Sequence, residues 1–129
     1  MEHKPYAVID NSAFPIVKVS FTGEKSTDLN FHHYLKALKE CYSHQQPIAI
    51  IFEASKAVTP KFSHQNQQAN WIKENWTLIQ NQCQGTAYII PSLIIKIALK
   101  SILLLQKQPV PYKVFSIEKD GKDWLKSLL

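Results

Sequence analysis

The chain has 129 residues, the size of one ordinary domain, so residues 1–129 are expected to form a single domain. Hydrophobic residues make up 45% and charged residues 19%, a composition that excludes a disordered or fibrous chain. The net charge is +5 and every basic residue is Lys. Because Arg supplies most bidentate contacts to bases, its absence argues against specific recognition of nucleic acid.

The first half of the chain predicts a β-hairpin, a helix and a buried strand. Tyr6–Asp10 and Ile16–Gly23 flank a turn sequence, and apolar and polar residues alternate in the second of them, which indicates two paired strands. Thr27 is typical of a helix N-cap, and apolar residues at helical spacing follow it to about Tyr42. Pro47–Phe52 is then a continuous apolar run, as in a central strand of a parallel sheet.

A second helix is predicted to begin at Thr59 and Pro60, a cap followed by a favoured first position. It reaches about Cys83, with Gly85 just past its end. Its predicted core face covers an arc of about 100°. That face consists of Phe62, Ala69, Ile72, Trp76, Ile79 and Cys83.

The rest of the chain continues the alternation of strands and helices. Thr86–Pro91 and Tyr112–Ile117 are predicted strands, 92–107 is a predicted helix, and Glu118–Leu129 a short closing helix. We therefore predict an α/β domain in which an N-terminal β-hairpin precedes alternating strands and helices. The central sheet is mainly parallel and about four helices flank it.

The predicted helix 92–107 is apolar around more than half of its circumference, with Lys96, Lys100 and Lys107 in one narrow stripe. It would be about 24 Å long, short of the hydrocarbon core of about 30 Å, so it is not expected to be transmembrane. Its apolar excess must be covered by neighbouring elements, a second chain, an apolar ligand or a membrane surface. We expect a homodimer contact or an apolar-ligand site, and the candidate residues are Leu99, Ile102 and Leu103.

Five further residues form a candidate interaction surface. Glu53 and Ser55 follow the third strand, where ligands of open α/β sheets bind, although such a loop also serves simply to turn the chain. Trp71 and Leu78 lie one heptad apart, opposite the predicted core face of the second helix, among polar residues typical of a contact surface. Thr59, at the predicted start of that helix, completes the surface.

The sequence lacks the motifs of an enzyme or a metal protein. It has three Gly and no phosphate-binding loop, and its five His have no chelating spacing, so we expect no catalytic residues, metal or other cofactor. Cys41 and Cys83 are expected to be inert thiols in the core. Residues 1–10 lack the basic region and apolar run of a secretory signal, which predicts a cytoplasmic protein.

Several segments together resemble the STAS superfamily, specifically its SpoIIAA-like branch of uncharacterised bacterial domains. The resemblance covers the chain from about Tyr6 to Leu129. It is carried by IVKVSFTG, PIAIIFEASKAV, ANWIKENW, GTAYIIPSLIIKIAL and KVFSIEKDGKDWL. The most specific parts are Gly85-Thr86-Ala87 entering a strand, and the end of the chain with Val114, Phe115, Trp124 and Leu125.

The resemblance implies a non-enzymatic regulatory module that binds another protein, because STAS domains act as anti-sigma-factor antagonists or as modules of transporters and sensors. In partner switching, a Ser after the third strand is phosphorylated within an Asp-Ser pair. This chain has Glu53-Ala54-Ser55 and then Thr59 instead, so we expect neither hydroxyl to be a dedicated switch. Related folds also bind lipids. The alternative is therefore a carrier or sensor of a small apolar ligand. A long apolar cavity beneath helix 92–107 would favour the carrier, and a packed core with a two-fold apolar interface would favour the module.

Overall fold

The described chain alternates strands and helices around one sheet, and it comprises residues 4–91, 93, 95–97, 99–100 and 107–129 of a computed structural model. The strands are β1 (Ala7–Asp10), β2 (Ile16–Phe21), β3 (Ile48–Glu53), β4 (Cys83–Ile89) and β5 (Tyr112–Phe115). The helices with defined bounds are α1 (Asp28–Glu40), α2 (Phe62–Glu74), α3 (Trp76–Gln82) and α4 (Glu118–Leu128).

Residues 93, 95–97 and 99–100 are also helical, and we call them the crossover helix because they connect β4 to β5. Lys107, the predicted end of this helix, is not helical. Ile102 and Leu103, proposed as contact residues, lie outside the described residues. Within the described chain, no helix combines the length and apolar character needed to cross a membrane.

The five strands are ordered β1-β2-β3-β4-β5 across the sheet. β1 pairs with β2 in antiparallel register, whereas β2–β3, β3–β4 and β4–β5 are parallel. This arrangement confirms the predicted α/β fold class, with a hairpin followed by a mainly parallel sheet. Parallel neighbours require crossover connections, which is why α1, the α2–α3 pair and the crossover helix each separate two strands.

The start of α1 follows directly from two side chains. Thr27 Oγ1 accepts a hydrogen bond from the Asn30 backbone N–H at 3.0 Å, and Asn30 Oδ1 accepts one from the Thr27 N–H at 2.8 Å. This reciprocal pair satisfies two backbone donors at the helix end, as a capping box does. The prediction of Thr27 as an N-cap is confirmed, and the apolar residues that follow it at helical spacing, Phe31, Tyr34 and Leu38 among them, are buried.

Both faces of the central sheet are covered, by different elements. On one face Ile16, Ala49, Ile51 and Ala87 pack against Leu125 of α4. The opposite face carries the larger cluster, packed against α1, α2 and the crossover helix. Its strand residues are Val17, Val19, Ile48, Ile50, Phe52, Cys83 and Tyr88. Alternate residues of each strand thus serve opposite faces, as the period of two requires.

The predicted bounds of the second helix are wrong. The observed helix α2 begins at Phe62, its N-cap position is Lys61, and no side chain caps it, so Thr59 does not start the helix. It is also interrupted at Asn75, whose Nδ2 donates to the Trp71 carbonyl at 2.9 Å. The Asn75 backbone N–H donates to the same carbonyl at 3.0 Å, and its backbone dihedral angles, φ −106° and ψ 18°, end α2 at this residue.

The end of that helix is wrong as well. α3 stops at Gln82, and Cys83 is the first residue of β4, so Gly85 lies inside a strand rather than at a helix end. The two cysteines are buried, as predicted.

The predicted core face of the second helix includes one residue that is exposed and omits one that packs against the core. Phe62 is 65% exposed, whereas Trp71, assigned to the outer face with Leu78, packs half-buried against the main core cluster. Trp76 is only half-buried.

The two aromatic residues Phe62 and Trp71 of α2 should therefore differ in their effect on stability. Trp71→Ala should lower the free energy of unfolding by more than about 1 kcal/mol, because it removes an indole packed against the core, and Phe62→Ala should change it by less than about 0.5 kcal/mol. Urea unfolding of both variants measures the difference. Equal losses would contradict the packing described here.

Candidate functional site

An apolar cavity of about 90 Å³ lies between the sheet and the helices, on the face that carries the main core cluster. It sits at the carboxyl ends of β3 and β4, where ligands of open α/β sheets bind. The sheet and the chain just beyond its strands contribute Tyr6, Phe21, Phe52, Ala54, Tyr88 and Ile90. The helices contribute Phe31, Tyr34, Gln68, Ile72, Ile95 and Leu99.

Aromatic rings form the walls of the cavity. Phe52 stacks on Tyr88 with centroids 5.2 Å apart and planes 10° apart, and on Phe21 at 6.1 Å and 14°, so three rings run side by side across β2, β3 and β4. Tyr6 and Tyr34 meet with centroids 5.5 Å apart. These rings have few rotamers and pack against one another, which gives the cavity rigid walls.

The polar groups at the cavity are neutral. Burial raises the pKa of the Tyr6 hydroxyl to about 12, and burial raises the pKa values of Tyr34 and Tyr88 as well. Each phenol therefore keeps its proton at neutral pH. Gln108 Nε2 donates a hydrogen bond to Tyr88 Oη at 2.7 Å, and no charged residue of the described chain lines the cavity.

The loop after β3 contributes to the cavity through its apolar residues, Ala54, Ala57, Val58 and Pro60. The predicted polar residues of this loop play a different part. The Ser55 backbone N–H donates to Glu53 Oε1 at 3.1 Å, which turns the chain, and both Ser55 and Thr59 are exposed.

The candidate residues named from the sequence therefore do not form one site. Leu99, expected at an apolar-ligand or dimer surface, lines the cavity, whereas Glu53, Ser55 and Thr59 do not. Trp71 lines a shallow outer groove of about 350 Å³ between α1 and α2. The other side chains of that groove are His32, Leu35, Lys36, Lys39, Gln67, Asn70 and Glu74.

A second cluster, which the sequence analysis missed, joins the start of α1 to the start of α2. The ring of His64 is 1% exposed; its Nδ1 lies 2.7 Å from Ser26 Oγ and its Nε2 lies 2.9 Å from Asp28 Oδ1. The Lys61 backbone N–H donates to the same Ser26 Oγ at 3.0 Å. We call Ser26, Asp28 and His64 the clasp.

The proton positions in the clasp follow from its partners. A carboxylate only accepts hydrogen bonds, so His64 Nε2 carries the proton that Asp28 accepts. Ser26 Oγ accepts from Lys61, and its own proton is free to donate to His64 Nδ1. The imidazole also stacks on Phe31, with centroids 4.9 Å apart, and Phe31 lines the cavity.

The clasp contains the three residue types of a serine hydrolase triad, but its exposure does not suit catalysis. A nucleophile must be reached by substrate, whereas Ser26 is 3% exposed and does not line the cavity. The exposed member is Asp28. The arrangement instead holds α1 and α2, two walls of the cavity, at a fixed spacing.

Cys41 and Cys83 offer no reactive thiol. Burial raises the pKa of Cys41 to about 11 and raises the pKa of Cys83 as well, so both stay protonated and poorly nucleophilic at neutral pH. The interpretation of both cysteines as inert core residues agrees with this environment.

No model of a known protein family matches the chain, and no curated protein does either.

The clasp predicts a pH dependence of stability. The hydrogen bond from His64 lowers the pKa of Asp28 below its ordinary value of 3.8. The ionised carboxylate therefore stabilises the fold above pH about 4, and this contribution is lost as the pH falls through the lowered pKa. Asp28→Asn should be less stable than the wild type at pH 7, and the difference should shrink at pH 3.

Urea unfolding at the two pH values measures this difference. Asp120→Asn is a matched control, because Asp120 is exposed in the first turn of α4 and has no part in the clasp. A deficit of Asp28→Asn that is the same at both pH values would contradict the role assigned to the carboxylate.

Proposed function

We propose that the protein binds a small apolar ligand in the cavity between the sheet and the crossover helix, as its carrier or sensor. The observation that supports this proposal is the aromatic cavity at the carboxyl ends of β3 and β4. Such a site between a parallel sheet and its crossover elements is a common place for ligands of α/β proteins.

The size and composition of the cavity support binding of an apolar molecule. An engineered cavity of about 150 Å³ with an aliphatic and aromatic lining is known to take up benzene or xenon. The cavity here, at about 90 Å³, is of the same order and has stacked rings along one side. An apolar ligand would provide the van der Waals contacts that the lining atoms lack across the empty space.

The rigidity of the walls also favours binding. Fixed rings and the clasp between α1 and α2 mean that few side chains need to be ordered when a ligand enters, and ordering costs are a main loss in binding. A cavity with such fixed walls is preformed, so a ligand that enters does not have to open it.

The interaction-module hypothesis and the STAS resemblance stay predictions, as does the homodimer. Trp71 and Leu78, the anchors of the proposed contact surface, pack half-buried against the core cluster of their own chain. We favour the ligand hypothesis because it rests on a cavity with a defined lining, whereas Trp71 and Leu78 are already partly covered by their own chain.

The proposal predicts that benzene binds at this cavity. Titration of ¹⁵N-labelled protein should give saturable shifts of the backbone amide signals of Ala54 and Ala57, both in the cavity-lining loop. Ala57→Leu should abolish the shifts, because its larger side chain would occupy part of the cavity.

Ala37→Leu is the matched control, since Ala37 is also half-buried but lies on α1 away from this cavity. It should bind benzene as the wild type does. Linear, unsaturable shifts in the wild type, or retained binding in Ala57→Leu, would overturn the proposal.

A further inference from the structure

The lining of the cavity selects against charge. Among the described residues of the lining, the side chains with polar groups are Tyr6, Tyr34, Tyr88, Gln68 and Gln108, and all of these groups are neutral. Lys96 and Lys100 of the crossover helix are not in the lining. A carboxylate that entered would lose its hydration without gaining a counter-charge, which is costly in an apolar site.

The volume sets an upper limit on the part of a ligand that is enclosed. At about 90 Å³ the cavity is smaller than the engineered cavity of about 150 Å³ that accepts one benzene ring. The enclosed part of a ligand is therefore limited to no more than one ring, and two fused rings would not be enclosed. The surrounding faces and edges of six aromatic side chains also suit a ring, because rings pair in stacked and edge-to-face arrangements.

Tyr88 offers a directed hydrogen bond to such a ligand. Its oxygen accepts from Gln108 Nε2 at 2.7 Å, and its O–H proton has no acceptor among the described residues, so it can donate to a ligand. Its ring is held by stacking on Phe52. Because burial raises the pKa of Tyr88, the hydroxyl stays a donor at neutral pH.

These features rest on the proposed function and deepen it. We infer that the cavity takes an uncharged, single-ring compound that carries a hydroxyl or carbonyl oxygen, which accepts a hydrogen bond from Tyr88. The ligand class is thus a neutral ring alcohol or ketone, and neither a fatty acid nor a polycyclic compound.

A panel of four compounds tests each part of this inference with the full chain. Benzyl alcohol has the ring, the neutral charge and the oxygen; toluene lacks the oxygen, benzoate adds a charge, and 2-naphthalenemethanol adds a ring. In amide-shift titrations, benzyl alcohol should bind most tightly. Toluene should bind about fivefold more weakly than benzyl alcohol. Benzoate and 2-naphthalenemethanol should each bind more weakly than benzyl alcohol by a factor of about ten or greater.

Two conservative variants test the role of Tyr88. Tyr88→Phe keeps the ring that stacks on Phe52 and removes the hydroxyl, so benzyl alcohol should bind this variant only as well as toluene does. Tyr112→Phe is the matched control, because Tyr112 contacts Tyr88 edge-to-face but does not line the cavity. It should keep the preference for benzyl alcohol.

The outcomes separate this inference from the proposed function. Benzoate or 2-naphthalenemethanol binding as tightly as benzyl alcohol, with Ala57→Leu still abolishing the shifts, would overturn the inference and leave apolar binding intact. An unchanged preference for benzyl alcohol in Tyr88→Phe would overturn the role of Tyr88. Failure of all four compounds and of benzene would overturn the proposed function itself.

Discussion

The architecture depends on how the two faces of β3 and β4 are covered, because these strands are buried on both sides. On one face Gly121 lets α4 approach the sheet closely; a Cβ atom there would lie 2.8 Å from Ile89 Cδ1. On the other face the rings of Phe52 and Tyr88 stand between the sheet and the helices. These rings line the cavity together with aliphatic side chains such as Ile72 and Leu99.

The clasp is the second constraint on the cavity, because it fixes the two helices that form its walls. His64 links the segment before α1 to the start of α2, and its ring stacks on the ring of Phe31. The same hydroxyl of Ser26 accepts the Lys61 N–H at the uncapped start of α2. A buried polar group is costly unless it is paired, and here each member of the clasp has a partner.

Much of the fold is predictable from local sequence, because hairpin, cap and buried-strand signals act over few residues. Thr27 and the run Ile48–Phe52 are examples. The break at Asn75 is not predictable from helical periodicity, because apolar residues at helical spacing continue on both sides of it. The exposure of Phe62 and the partial burial of Trp71 depend on what α2 packs against, which its own periodicity does not specify.

The candidate site is less predictable than the fold, because it depends on packing between distant segments. The excess of apolar residues in 92–107 indicated that something covers the crossover helix, and Leu99 does line the cavity. The clasp joins residues 36 and 38 positions apart, and no spacing rule connects them. A lone His on a helix carries no signal of its own, since its role depends on partners that only the fold brings together.

The central claim is that an apolar space exists between the sheet and the crossover helix and admits an apolar guest. A crystal structure determined under xenon pressure tests it most directly, because xenon occupies dry apolar cavities and scatters strongly. We predict a xenon site bounded by Phe52, Tyr88 and Ile95. A structure in which these three side chains touch one another, with no xenon between them, would contradict the account.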